Sequence, residues 1–235
     1  MLEIQTKFTP LWGHEKDKIP YDPNQDVAGQ IKESIQQSFG HLKTDYLDAL
    51  LLHSPYDRDE DTVAAWKTLE QYVPDKIRRL GVSNINLSQL RKLYDAVDVK
   101  PVIVQNRFFQ GTAYDLGVRS FCQDHGITYQ PFWMLKHNPD LLNSALLGSV
   151  ARRLDVEKEV AFYVLLLSLG NIQVLDGTTR TDRMEMDLQA VAAVFGDSEK
   201  VKELAPFVGD FKKLLWKLAG ENIGGEDPDE ENASA

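Results

Sequence analysis

The stretch DYLDALLLHSP, residues 45–55, contains the clearest strand in the sequence. Its core, YLDALLLH at 46–53, is almost continuously apolar, which is typical of a parallel strand covered on both faces. Pro55 ends the strand, because proline lacks the N–H that a β-ladder needs. Amphipathic segments with near-helical spacing flank it at residues 25–42 and 61–79. The sequence therefore predicts a helix, a buried strand and a second helix in this region.

The same alternation of apolar runs and amphipathic stretches extends in both directions along the chain. The predicted strands cover residues 2–8, 46–53, 81–84, 101–106, 127–132 and 172–175. The predicted helices cover residues 25–42, 61–79, 87–96, 114–125, 154–169 and 181–195, with one or two more between 198 and 218. Asn24 is the expected N-cap of the first helix, and Pro74 should break or kink the second. Repeated strand–helix units predict a parallel sheet with right-handed crossovers, either doubly wound or closed as a barrel.

Composition favours one globular domain, expected over residues 1–220, because 43% of the 235 residues are hydrophobic and 26% are charged. The 36 acidic and 26 basic residues give a net charge of -10. Such a balance argues against a nonspecific binder of nucleic acid or of anionic membranes, since both need a basic surface. Residues 221–235 contain no Lys or Arg and are predicted to form a disordered acidic tail.

Several other classes of protein are disfavoured by what the sequence lacks. The single cysteine, Cys122, excludes an internal disulfide framework and a clustered-thiol metal site, and we predict no metal ligands. There is no GxGxxG, Walker loop or HExxH motif. The first ten residues do not resemble a secretory signal, and no apolar run approaches the roughly 18 residues that span a bilayer. We therefore expect a cytoplasmic protein.

Four pieces, taken in order, carry a family resemblance. They are IQTKF at 4–8, DYLDALLLHSP at 45–55, IRRLGVSNINLSQL at 77–90 and VIVQNRF at 102–108. Through their order and spacing the chain resembles the aldo-keto reductase family, and the likeness continues to about residue 195. The resemblance implies a TIM-type (β/α)₈ barrel with its active site at the C-terminal ends of the strands. Because only about six parallel strands are predicted, the chain looks like an incomplete, N-terminally shortened member.

The resemblance also implies catalytic roles for Lys7 and His53. The family's lysine lowers the pKa of a catalytic tyrosine through its positive charge, and its histidine orients the substrate carbonyl and assists proton transfer. The family's catalytic Asp and Tyr have no counterpart here, because they lie in the first two β–α units. Tyr56 or Tyr21 could replace the missing acid only if its hydroxyl lay within about 3 Å of the substrate oxygen.

The resemblance implies NADP as the cofactor, with a nicotinamide end and a phosphate end. At the nicotinamide end, Ser83, Asn84 and Gln105 match residues that hydrogen-bond the carboxamide. Phe132 takes the place of the tyrosine on which the ring stacks, and it keeps the aromatic face. A competing interpretation makes Ser83 and Asn84 a helix cap or turn before Leu87.

At the phosphate end, Thr178 and Arg183 match the hydroxyl and the arginine that hold the adenosine phosphate beside a helix N-terminus. Gly177 stands where many members have a phosphate-binding Lys, and Arg180 is expected to compensate in part. Further departures from the family pattern are Trp133, Met134, Lys136, Met186 and Asp187.

Three functions remain open from the sequence. The first is NADP(H)-linked reduction of a small-molecule carbonyl substrate, or the reverse alcohol oxidation, by an oxidoreductase. The second is a cofactor-independent isomerase, dehydratase or cyclase that reuses the barrel mouth, and the third is a non-catalytic fragment. An open barrel would leave the strands at 2–8 and 172–175 as unpaired edges. The terminal helices, the loop at 10–23 or a second copy in a homo-oligomer could cover them.

Overall fold

The computed structural model describes residues 3–15, 17–175 and 177–221. Within these residues the strands are β1 (Gln5–Phe8), β2 (Ala49–Leu52), β3 (Leu80–Ser83), β4 (Ile103–Arg107) and β5 (Thr128–Phe132). The α-helices are α1 (Val27–Leu42), α2 (Asp59–Glu70), α3 (Leu87–Ala96), α4 (Leu116–Asp124), α5 (Pro139–Leu142), α6 (Ala145–Leu154), α7 (Lys158–Leu167), α8 (Thr181–Phe195) and α9 (Ser198–Glu221). Two 3₁₀ turns lie at Leu11–Gly13 and Gln110–Asp115. None of these helices is long and apolar enough to cross a membrane.

The sheet follows the order of the chain, β1-β2-β3-β4-β5, and the first three neighbouring pairs are parallel. One row of the sheet runs from Lys7 through Leu51 and Gly81 to Ile103. Gly81 is needed in this row, because an added Cβ would lie 2.7 Å from the backbone oxygen of Ile103. Parallel strands that alternate with helices confirm the predicted α/β class and the incomplete barrel.

The predicted sixth strand at residues 172–175 is wrong, because the described part of this segment makes only one isolated bridge, at Ile172. The apolar pattern there was read as a strand, but a strand also requires a continuous backbone partner. In place of a ladder, the side chain of Gln130 donates from Nε2 to Oε1 of Gln173 at 2.8 Å.

Some helices begin or end at residues other than those predicted, because a capping residue or a proline sets the boundary. Asp26, not Asn24, caps α1, since its Oδ1 accepts a hydrogen bond from the Gly29 N–H at 2.8 Å. The predicted helix at 61–79 ends at Glu70, before Pro74, as the expected break requires. Both α3 and α8 have the predicted bounds.

The long helix predicted at 154–169 is divided, and its first part belongs to a helix that the sequence reading missed. Helix α6 ends at Leu154, and the backbone turns at Asp155, which has a φ of 55°. Its start carries a recognisable signal, because Ser144 Oγ accepts a hydrogen bond from the Leu147 N–H at 3.2 Å. Helix α7 then begins at Lys158.

The described residues divide into two compact units, one within residues 3–106 and 124–129 and the other within residues 107–123 and 130–221. In the first, Trp66 is fully buried on α2 and its Nε1 donates to the Val99 carbonyl at 2.9 Å. In the second, buried Phe162 on α7 packs edge-on against Phe211 on α9, as expected for a terminal helix that covers the body.

The single domain over residues 1–220 stays a prediction. Helix α9 extends through Glu221, and the rest of the predicted acidic tail lies outside the described residues.

Candidate active site

Four of the predicted site residues follow one another along the carboxyl edge of the sheet, on one face. Lys7 is opposite Leu51, and His53 is two residues beyond Leu51, so both project from the same face. Ser83 is opposite Gln105 in the next two strands. Ser83 and Gln105 project from the same face of the sheet as Gly81, because Ser83 is two residues after Gly81 in β3. All of them belong to the first compact unit.

Lys7 carries a half-buried ammonium, and burial lowers its pKa below the ordinary value of 10.5. Within the described ranges no carboxylate forms an ion pair with it. Burial raises the pKa of Tyr21 to about 12, and burial followed by Tyr21 and Asp61 raises that of Tyr56 to about 12. The charge of Lys7 lowers neither tyrosine pKa, so the family's lysine–tyrosine coupling has no equivalent among these residues.

His53 is held through its backbone and its ring. Its N–H donates to the Phe8 carbonyl at 2.9 Å, which fixes it against the end of β1. Its carbonyl accepts from Asn84 Nδ2 at 2.9 Å and from Ser54 Oγ at 2.8 Å. On the ring, Nδ1 lies 2.9 Å from Thr9 Oγ1. The sequence reading missed Thr9, although strand alternation places it two residues beyond Lys7 at the same edge.

Asn84 leaves a buried acceptor without a partner. Its Nδ2 donates to the His53 carbonyl and, at 3.2 Å, to Ser83 Oγ, whereas its Oδ1 is buried and accepts no hydrogen bond. Its φ is 54°, a left-handed conformation that asparagine tolerates better than most residues. A buried, unsatisfied carbonyl oxygen costs free energy unless a ligand supplies an N–H. The primary amide of a nicotinamide is such a donor, so this edge fits that group.

The competing interpretation of Ser83 and Asn84 as a helix cap or turn is wrong for the cap, because Asn86 caps α3, but Asn84 does lie in a bend. Asn86 Oδ1 accepts from the Gln89 N–H at 2.9 Å, and the Gln89 side chain accepts from the Asn86 N–H at 3.2 Å. This reciprocal capping box leaves Ser83 and Asn84 out of the cap. Asn106, also missed from sequence, holds the intervening turn through two bonds to the Ile85 backbone, at 3.0 and 2.7 Å.

The other predicted cofactor residues border one cavity of about 680 Å³ in the second compact unit. Its aromatic and basic lining includes Phe132, Trp133, Lys136, Thr178, Arg180 and Arg183. The structure therefore brings Phe132 together with Thr178 and Arg183, as the resemblance implies. Thr178 lies just before α8, and Arg183 lies in its first turn. Unpaired N–H groups at this helix end favour an anion.

Carboxylates offset part of the positive charge in this cavity. Arg183 Nη2 lies 3.4 Å from Glu159 Oε1, and Arg180 makes two bonds to Asp182, at 3.3 and 2.6 Å. The pKa of Asp182 is lowered, chiefly by its hydrogen bond from Arg180. Each arginine would have to share or exchange its carboxylate in order to bind a phosphate.

Trp133 is held in an unusual conformation at the edge of this cavity. Its φ is 64°, a left-handed value that is rare for a bulky side chain. His137 stacks on the indole with ring centroids 4.1 Å apart, and Arg107 Cζ lies 4.7 Å from its centroid. Asn138 Nδ2 supports the loop by donating to the carbonyls of Phe108 and Met134. Nothing in the sequence spacing signals these supporting residues.

Known proteins share both sequence and fold with this chain. The model of the Aldo/keto reductase family matches residues 2–141. An uncharacterized oxidoreductase of Schizosaccharomyces pombe is 29% identical over 75% of this chain and 61% of its own length. The NADPH-dependent alpha-keto amide reductase of Saccharomyces cerevisiae is 30% identical over 48% of this chain and 38% of its own. The glyoxal reductase of Bacillus subtilis is 31% identical over 51% and 42%, respectively.

Solved structures support the same fold. The aldose reductase of Schistosoma japonicum superposes with a TM-score of 0.67 at 16% identity, covering 96% of this chain and 70% of that one. An aldo-keto reductase complexed with NADPH gives 0.65 at 20% identity, covering 88% and 64%. The chain spans between 38% and 61% of the length of the three curated relatives above. Since the family model covers more than half of its residues, this chain belongs to the aldo/keto reductase family.

Proposed function

We propose that this chain is an NADP(H)-linked oxidoreductase that acts on a small-molecule carbonyl, or on the corresponding alcohol in reverse. The observation that carries the proposal is the partnerless Oδ1 of Asn84 beside buried Ser83, next to His53. A nicotinamide carboxamide would supply the N–H that Asn84 lacks, and Ser83 and Gln105 would contact the same amide. The names of two relatives, an NADPH-dependent reductase and a glyoxal reductase, support the choice of cofactor and of substrate class.

A second group of candidate cofactor residues lies in the second unit. Phe132 offers an aromatic face for stacking, and Thr178 and Arg183 offer a hydroxyl and a cation for a phosphate. When bound, NADPH supplies the hydride that reduces a carbonyl carbon. Because Glu159 already pairs with Arg183, we expect a modest contribution from the phosphate to the affinity.

The chain's own residues would act on the substrate oxygen. His53, held at the end of β2, would donate a hydrogen bond that orients the carbonyl, and half-buried Lys7 would stabilise negative charge as it develops on the oxygen. Neither Tyr21 nor Tyr56 is coupled to Lys7, and the Tyr21 hydroxyl donates to the Thr9 carbonyl at 2.8 Å. Proton delivery is therefore the weak step of the proposed reaction.

Calorimetric titration of the full chain with NADPH tests the proposal, with Asn84→Gly as the diagnostic variant. Glycine keeps the left-handed backbone and removes the acceptor. We expect wild type to bind and the variant to bind roughly 5- to 150-fold more weakly, the range that follows from about 1–3 kcal/mol for a buried polar contact.

Asn171→Gly is the matched control, since Asn171 is exposed and has a φ of 52°. It should bind NADPH as wild type does. Absence of NADPH binding to wild type at millimolar cofactor would refute the proposal and favour a cofactor-independent reaction or a non-catalytic role.

A further inference from the structure

Thr9 joins the loop after β1 to the ring of His53. Its carbonyl accepts from the Tyr21 hydroxyl at 2.8 Å and from His14 Nε2 at 3.1 Å. Its side-chain Oγ1 lies 2.9 Å from His53 Nδ1. Its methyl group fits against Gly13, where an added Cβ would lie only 2.7 Å from Thr9 Cγ2. The backbone and the side chain of Thr9 are thus both fixed.

The Thr9 hydroxyl has one acceptor within reach in the described chain, and that acceptor is Nδ1 of His53. A hydroxyl hydrogen in a partly buried site is satisfied when it is donated, and the 2.9 Å contact satisfies it with Thr9 as the donor and Nδ1 as the acceptor. The single proton of a neutral imidazole then resides on Nε2. His53 in this form is a hydrogen-bond donor through Nε2.

We infer that Thr9 is a positioning residue, which holds His53 as the Nε2–H tautomer so that the ring can donate to a carbonyl oxygen. The use of that donor rests on the proposed reductase function. The backbone of His53 is fixed by its bonds with Phe8 and Asn84, and Thr9 contacts its ring. Tyr21 and His14 act one step further back, because they hold the carbonyl of Thr9.

Nitrogen-15 NMR of the imidazole rings in the full chain tests this inference without requiring activity. The signals of His53 are assigned by their loss in His53→Gln. We expect wild type at neutral pH to show the Nε2–H form. Thr9→Val replaces the hydroxyl by a methyl group of similar size, and we expect a roughly three- to tenfold rise in the ratio of Nδ1–H to Nε2–H.

Two further variants separate positioning from general damage. Thr9→Ser keeps the hydroxyl and should restore the wild-type ratio. Thr68→Val removes a hydroxyl that donates to the Ala64 carbonyl on an exposed face of α2, and it should leave the ratio unchanged. An Nδ1–H ring in wild type overturns the inference even if Thr9→Val does not fold. So does a Thr9→Val protein with the wild-type ratio.

The outcome is distinguishable from that of the proposed function. If NADPH fails to bind wild type while the tautomer depends on Thr9, the positioning role stands and the reductase proposal fails. If NADPH binds and the tautomer ratio of His53 does not change when the Thr9 hydroxyl is removed, the positioning role alone is refuted.

Discussion

At the residue scale, Lys7 is the predicted catalytic group whose surroundings differ most from what the resemblance implies. In the family its charge serves a tyrosine, whereas here its ammonium is half-buried without a carboxylate or a coupled phenol among the described residues. Burial of an unpaired charge costs free energy, which is why the pKa of Lys7 is lowered. Lys7 is retained at a position where it does not favour folding.

The lowered pKa of Lys7 predicts how stability changes with pH. Between its folded pKa and 10.5, the unfolded chain binds the proton more readily than the folded chain, so the free energy of unfolding rises with pH. The penalty is fully present below the folded pKa and is relieved above 10.5. Lys7→Met should therefore be more stable than wild type at neutral pH, by a margin that shrinks as the pH approaches 10.5.

Urea denaturation at a series of pH values measures this margin. Lys67→Met, at an exposed position on α2, is the control and should show no such convergence. A margin between Lys7→Met and wild type that grows with pH would contradict the prediction.

At the same scale, the sequence predicted the site residues at the edge of the sheet better than the residues that hold them in place. The motif match identified Ser83 and Asn84, but only the structure excludes a role for them as the cap of α3, through the capping box of Asn86. Thr9 and Asn106 were missed because their partners, His53 and Ile85, are 44 and 21 residues away in the chain. Such long-range pairs leave no local periodic pattern.

At the scale of elements, buried strands were the most predictable feature. Continuous apolar runs identified β2 and its neighbours, because parallel strands are covered on both faces. The run at 172–175 has the same composition but lacks a ladder, and composition cannot report the presence of a partner strand. Helix α6 was missed although its Ser144 cap is a local signal.

The close approach of the strands at Gly81 predicts that a larger side chain there destabilises the sheet. A Cβ at this position would lie 2.7 Å from the Ile103 carbonyl oxygen and 3.0 Å from the Leu51 side chain, so the neighbouring strands would have to shift. We expect Gly81→Ala to destabilise the protein by about 1–3 kcal/mol, as overpacking typically does. Thermal and urea unfolding measure the change.

Gly40 provides the matched comparison. It lies on the exposed side of α1 with no atom within 4 Å of an added Cβ. Gly40→Ala should stabilise the protein by about 0.5–1 kcal/mol, because alanine is the better helix former. Equal effects of the two substitutions would show that close approach of the strands is not what requires Gly81.

At the scale of the whole molecule, the predicted cofactor residues lie in two groups, and the predicted catalytic lysine has no coupled tyrosine among the described residues. The edge of Ser83 and Asn84 and the cavity beside Arg183 each keep their expected residues, whereas no tyrosine is coupled to Lys7. General acid catalysis typically contributes about 10²–10⁴-fold to the rate. We therefore predict measurable NADPH binding, with turnover of a simple aldehyde slower by about that factor than in a relative whose lysine is coupled to a tyrosine.

An absorbance assay of NADPH oxidation at excess aldehyde measures this turnover. Tyr56→Phe should leave the slow rate unchanged. Brisk turnover that is lost in Tyr56→Phe would instead identify Tyr56 as the acid, with its buried and partnerless hydroxyl as the reason.

Trp133, which stacks with His137 and contacts Arg107, gives the protein an intrinsic fluorescent reporter. Indole fluorescence responds to the groups in contact with the ring, so the emission of Trp133 depends on both neighbours. The same indole borders the cavity that contains Arg183, and any molecule entering there changes the surroundings of the fluorophore. Trp66 is buried in the other unit, whereas Trp12 and Trp216 are exposed, by 58% and 67%. The emission maxima of these tryptophans therefore differ in wavelength from that of Trp133. Occupancy of the cavity can thus be followed through the intrinsic fluorescence of Trp133, with no added dye.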